Sequence, residues 1–214
     1  MSLRSSLRFL ALFSMGVTAS MAQQYEFGGL GGLGFLNGST VTAPAGTATA
    51  GFKPGVAAGV LLGHRMYPLL SGEVRYIFRK QDLRLTSGGL EPTFGAQSHI
   101  VHYDVLLHTR ASDSHVQPFV AVGGGMKIYK GTGVEAAYQP LGNFAYLTKT
   151  QDVRPLISAG GGVKVRIAPR ILLRAEFRDY ITPFPVKVIT PASGAKVSGW
   201  VHDIVPMAGI SFEF

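Results

Sequence analysis

From Tyr25 to Phe214 the chain alternates apolar positions with polar or small ones at every second residue, in segments broken by turn-rich connections. The last segment, Val201 to Phe214, reads VHDIVPMAGISFEF. Pro206, Ala208, Ile210, Phe212 and Phe214 share one parity, and Asp203, Val205, Met207, Gly209, Ser211 and Glu213 share the other. Successive side chains of a strand point to opposite faces, so this is a strand with one apolar face. An apolar strand face left open to water invites aggregation. The same face is stable if it meets lipid and the strand closes a barrel.

The pattern recurs along the chain. The first strand is expected over Tyr25–Leu36, with Tyr25, Phe27, Leu33 and Phe35 on one face. The second runs from Pro54 to His64, the third from Leu70 to about Arg84, and the fourth from Gln97 to Arg110. The fifth, Gln117–Lys130, and the sixth, Val153–Ile167, repeat one another: VQPFVAVGGGMKI beside VRPLISAGGGVKV. The seventh is Ile171–Tyr180, and Trp200 opens the last, as an interfacial aromatic should. Between them lie long polar stretches at Asn37–Lys53, Leu85–Ala96, Gly131–Asp152 and Ile181–Gly199, alternating with short turns. No part of this region carries a helical period.

An even strand number with alternating long and short connections describes an eight-stranded antiparallel up-and-down transmembrane barrel. The long connections are then four mobile extracellular loops. The terminal Phe214 with apolar residues at alternate positions before it, the doubled Gly-Gly-Gly strands and the loop alternation resemble the small OmpA/OmpX-like outer-membrane β-barrels of Gram-negative bacteria. The resemblance covers Tyr25 to Phe214. It implies location in the outer membrane, with Ile210, Phe212 and Phe214 as the signal read by the barrel assembly machinery after delivery by periplasmic chaperones. It implies contact with outer-membrane lipid and lipopolysaccharide, and a monomer. The last strand ends the chain, so no periplasmic domain is expected.

Composition agrees. Of 214 residues, 46% are hydrophobic, 15% are charged, 28 are Gly and none is Cys, which excludes disulfides and thiolate chemistry. No uninterrupted apolar run reaches the roughly 18 residues of a membrane helix. Met1–Ala22 has Arg4 and Arg8, a short apolar core from Phe9 to Val17 and small residues before Ala22, the pattern of a secretory signal. Residues 23–214 then form the barrel domain, and loss of the two arginines lowers the formal charge from +8 to +6. The basic residues are scattered, which argues against nucleic acid.

The polar parity of the strands carries Glu73, Arg75, Asp104, Lys127, Lys164, Arg166, Arg174, Glu176 and Arg178, with His102 and His108. An eight-stranded barrel is just wide enough for side chains to fill it. These groups are expected to form a lumen charge network, with Glu73 and Glu176 as counter-ions, because unpaired buried charges cost several kcal/mol each. A self-satisfied plug is the expected outcome; a narrow gated pore is the alternative. Candidate chemistry is thin. Gly29 to Gly34 satisfies G-x-G-x-x-G but leads into a turn rather than a helix, so it is no dinucleotide site. His102 and Asp104 share a face with no Ser beside them, His202 and Asp203 point to opposite faces, and the six His show no metal spacing. No catalytic residue, metal or cofactor is expected, which disfavours a lipid A-modifying enzyme. The expected role is structural or surface-interactive, with an extracellular ligand of the long loops.

Overall fold

The computed structural model describes residues 25–111, 114–197 and 199–214. The expected secretory segment, Met1–Ala22, and its cleavage point lie outside the described residues. The described chain contains fifteen strands, numbered here in chain order, and no helix. Eight long ones are β1 (Tyr25–Leu36), β4 (Gly55–Tyr67), β5 (Leu70–Lys80), β8 (Ala96–His108), β9 (Val116–Gly131), β11 (Gln151–Ala168), β12 (Ile171–Pro183) and β15 (Trp200–Glu213). The seven short ones are β2 (Ser39–Ala43), β3 (Gly46–Phe52), β6 (Leu83–Thr86), β7 (Thr93–Phe94), β10 (Ala145–Leu147), β13 (Ile189–Pro191) and β14 (Lys196–Val197).

The eight long strands close into a barrel in sequence order, every neighbour antiparallel, with β1 completing the circle against β15. At the seam the Tyr25 N–H donates to the Phe214 carbonyl at 3.2 Å and the Phe214 N–H to the Tyr25 carbonyl at 2.9 Å. The two rings stack at 6.2 Å. Closure leaves no open edge, which is what a strand structure needs in lipid. The expected parities hold: Val74, Tyr76, Val120, Val122, Leu173 and Phe177 face out, while Glu73, Arg75, His102, Asp104 and Glu176 face in and are buried.

The repeated glycine triplets have a steric cause. A methyl group added at Gly160 would lie 2.1 Å from the Phe177 carbonyl oxygen and 2.9 Å from Arg178 Cδ, and one at Gly162 would lie 2.4 Å from the Ala175 carbonyl oxygen and 2.7 Å from Glu176 Cβ. The backbone carbonyls and the inward side chains of β12 together occupy the space that glycine leaves on β11. A tightly curved barrel of this width needs such small–large pairing.

The long connections hold more regular structure than the sequence reading expects. β14, β2, β3, β6 and β7 form a five-stranded sheet in that order, and β10 pairs with β13. The third strand accordingly stops at Lys80 rather than near Arg84, because Leu83–Thr86 leaves the barrel to pair with β3. The cap encloses an apolar core that continues into the barrel mouth at Leu36, Tyr129 and Val201, and in it Val41, Ala50, Phe52, Leu83, Leu85 and Val188 are at most 2% exposed. Each of the larger side chains among these contributes about 1.5–3 kcal/mol when it leaves water. The β2–β3 hairpin turns at Gly46, whose φ of 123° lies where only glycine sits without strain. Below the cap, Leu30, Leu61, Ile77, Ile100, Tyr180 and Val205 form an apolar layer inside the barrel.

Candidate functional site: the charged lumen

The inward parity of β1, β5, β8, β11 and β12 brings eight charges together below that apolar layer. Arg75 is the centre. Its Nη2 donates to Glu73 Oε2 at 2.6 Å and to Glu176 Oε2 at 2.9 Å, and its Nη1 donates to Glu176 Oε1. Arg174 donates to Glu73 Oε1 and to Glu26 Oε1, both at 2.9 Å. Lys164 donates to Glu26 Oε2 at 2.5 Å and Glu73 Oε1 at 3.2 Å. Arg178 lies 2.8 Å from Asp104 Oδ2, and His102 Nδ1 is 3.0 Å from Asp104 Oδ1. Glu26, Glu73, Asp104 and Glu176 thus face Arg75, Lys164, Arg174 and Arg178, so formal charge cancels within the cluster. The Phe119 ring lies under the cations, with Arg174 at 5.3 Å, Lys164 at 5.8 Å and Arg178 at 5.9 Å from its centroid. Such placement adds cation–π attraction in a dry site.

A second, smaller group sits above the apolar layer. Asp203 accepts from Arg79 and from Lys127, each at 2.5 Å. Arg79 also donates to Gln81 at 2.9 Å, and Tyr129 and Thr182 share a hydrogen bond at 2.7 Å. The nine residues expected in one lumen network therefore divide three ways. Seven join the lower cluster, Lys127 belongs to the upper one, and Arg166 belongs to neither. Arg166 lies at the short-turn end of the barrel, 2.6 Å from Glu213, which Arg65 also reaches at 3.1 Å. The bulge between Arg166 and Ala168 interrupts the register there, next to the turn.

Glu26 and Asp203, with Arg79, are the partners that the expected set omits. Each was findable: Glu26 has the parity opposite to Tyr25 and Phe27, and Asp203 the parity opposite to Ile210 and Phe212. Ile210, Phe212 and Phe214 themselves face outward and are exposed.

The chemistry on offer is electrostatic. A polar cleft of about 20 Å³ at the short-turn mouth of the barrel, bordered by Ser71, His108, Gln117 and Lys164, has room for a water molecule. His102 Nε2, the atom that would take a nucleophile's proton, has no hydrogen-bond partner. His202 pairs at 2.7 Å with Asp179 on the outer face rather than with its neighbour Asp203. Among the described residues no group of three or more His, Asp or Glu is placed to hold a metal.

No family model matches the chain, and no curated protein matches it in sequence. Solved structures do match. OprG from Pseudomonas aeruginosa superposes with a TM-score of 0.57 at 12% identity, over 90% of this chain and 97% of that one. Neisserial surface protein A gives 0.54 at 13% identity, over 88% and 97%. AlkL in lipid bilayers gives 0.50 at 10% identity, over 90% and 92%. The fold is that of the small OmpA/OmpX-like outer-membrane barrels. An OmpA/OmpX-like barrel meets lipid with its outward parity, and here that parity is dominated by apolar side chains such as Val60, Val74, Val120, Val122, Leu173 and Phe212. A closed strand barrel with such a face is built to span a membrane, with its long connections gathered at one end and its short turns at the other.

Proposed function

We propose that this protein is a closed outer-membrane anchor that displays a folded extracellular cap, with a structural and surface-interaction role in the envelope. The observation that carries this reading is the double seal. The lower lumen is filled by a charge-neutral cluster, and the cap above has an apolar core. A path for solutes would need both to open. Breaking the Arg75–Glu176 and Arg174–Glu73 pairs leaves buried charges unpaired, at about 3–5 kcal/mol for each partner lost. Unfolding the cap exposes Phe52, Leu83 and Leu85 to water. A narrow gated pore is therefore the weaker reading, supported only by the polar cleft at the periplasmic mouth. The His102–Asp104 pair, whose Nε2 meets no hydrogen-bond partner among the described residues, fits an electrostatic role in the plug.

Two further assignments belong to this reading. Met1–Ala22 directs export and is removed after Ala22, and Ile210, Phe212 and Phe214 form the segment by which the assembly machinery seats the last strand. The deciding experiment is planar-bilayer recording with the refolded mature protein. A silent bilayer, together with an SDS-resistant unheated band, supports the closed anchor. Discrete conductance steps that respond to Glu73→Gln would replace it with the pore.

A further inference from the structure

We infer that the upper lumen, between the apolar layer and the cap, is a binding site for one small monovalent anion such as chloride, held by Arg79, Gln81, Ser98 and Lys127. Charge decides the sign of the ligand. The lower cluster sets four carboxylates against four cations. The upper group does not balance. Asp203 is the one carboxylate, among the described residues, within ion-pair distance of Arg79 or Lys127. Asp152, the other buried carboxylate at this level, accepts from the Arg154 guanidinium at 2.7 Å and from the Lys187 backbone N–H at 3.0 Å. Arg154 stands beside Lys127 across the β9–β11 pair, so it brings its own cation to this level. Three cations thus face two carboxylates. Arg79, Lys127 and Asp203 are buried, and an uncompensated charge out of water is strongly unfavourable.

Hydrogen-bond donors decide the position. Arg79 gives Nη1 to Asp203 and Nη2 to Gln81 Oε1 at 2.9 Å, which leaves its Nε. Arg79 Nε, Gln81 Nε2 and the Ser98 hydroxyl are buried without a hydrogen-bond partner among the described residues. Arg79 and Ser98 are 0% exposed and Gln81 is 3% exposed. Arg79 and Ser98 are direct partners across β5 and β8 on the inward parity, and Gln81 follows two residues after Arg79. A methyl group at Gly34 would fall on the Arg79 guanidinium, so that glycine of β1 leaves the space the head group occupies. The inward pair Ile77 and Ile100 lies directly below. Tyr129, the partner of Ser98 on β9, packs on Phe52 at 5.4 Å. A water molecule can accept from these donors but leaves the excess charge; an anion answers both. Apolar neighbours deprive an ion of its hydration, which selects a weakly hydrated monovalent ion over a divalent one.

The site does not depend on what the cap displays. The test is urea unfolding of the refolded mature protein from lipid vesicles, in sodium chloride and in sodium gluconate of equal ionic strength. Wild type, Lys127→Met, Ser98→Ala and the exposed cap variant Lys196→Ala are compared, each first shown to run as the compact unheated SDS species. Chloride at about 100 times its dissociation constant should raise the folding constant about 100-fold. Wild type and Lys196→Ala are therefore expected to unfold at a higher urea midpoint in chloride, by an amount that saturates. Lys127→Met leaves Arg79 and Asp203 as a neutral pair and is expected to lose the difference between the salts. Ser98→Ala removes one donor and no ion pair, and is expected to need about 10-fold more chloride for the same effect; it keeps the test open if Lys127→Met does not refold. Crystals grown in sodium bromide are expected to show an anomalous peak beside Arg79 Nε, Gln81 and Ser98. Equal wild-type midpoints in the two salts overturn the site, and a bromide peak with equal midpoints marks an adventitious ion only. A chloride effect that survives unchanged in Lys127→Met or Ser98→Ala overturns the assignment to these residues.

Discussion

On β9, Val120 and Val122 face outward and are 58% and 60% exposed, while Lys127 on the opposite parity is fully buried. On β2 and β3 the sense is reversed. Val41, Ala48 and Ala50 are buried, and Thr40, Thr42, Thr47 and Thr49 face out. Both regions are strands of period two, made within one chain, and both have one apolar parity. What differs is the solvent on the outer side. Lipid takes no penalty from valine and offers nothing to a lysine, so the barrel turns its charges inward and must pair them. Water rewards removal of Val41 and Phe52, so the cap turns the same residue types into a core. Stability in the barrel therefore comes from closure, backbone pairing and charge cancellation, and in the cap from apolar burial.

This contrast can be broken at four points. The largest effect is expected for Glu73→Ala. Glu73 is fully buried and within ion-pair distance of Arg75, Lys164 and Arg174. Its loss should cost about 3–5 kcal/mol, read as a lower urea midpoint for unfolding from lipid vesicles. An unchanged midpoint would show that the cluster does not hold the barrel. Next, Leu85→Ala should cost the cap about 2–5 kcal/mol while leaving the SDS heat shift intact. The readout is hydrogen exchange, faster at residues 39–52 and 83–86 and unchanged in β9 and β11; equal acceleration everywhere would mean that cap and barrel are one cooperative unit. Third, Val122→Arg puts a charge on the lipid face and should cost about 2–4 kcal/mol in the same urea assay. The smallest effect is reserved for Thr49→Arg, an exposed position of the cap sheet, where a change within about 0.5 kcal/mol is expected. If Val122→Arg and Thr49→Arg behave alike, the two outer faces do not meet different solvents.

The sequence made the barrel legible because its strands are long and the parity of residues such as Val74, Tyr76, Phe177 and Phe212 is unbroken. The lower charge cluster was legible for the same reason, since the parity that placed Val74 outside placed Glu73 and Arg75 inside. The cap was harder. Its alternation, Ser-Thr-Val-Thr-Ala then Thr-Ala-Thr-Ala, is written in small residues and interrupted by Pro44 and Gly46, so it reads as a polar loop. Threonine is a good strand former, and the period was present. Leu83 looks like a continuation of the third strand and Leu85 like the start of a loop; only their pairing with β3 reassigns them. The pairing of charges across the lumen was beyond parity. Which carboxylate meets Arg174 depends on how far the strands are staggered around the barrel, and no single strand records that.

The pairing of β14 with β2 has a consequence in time. β2 lies in the first connection to leave the barrel, and β14 in the last. The sheet that joins them cannot be completed until the chain is in place as far as Val197. An unfinished barrel would show an incomplete extracellular surface, so anything that recognises the finished sheet from outside would count only molecules whose assembly is over.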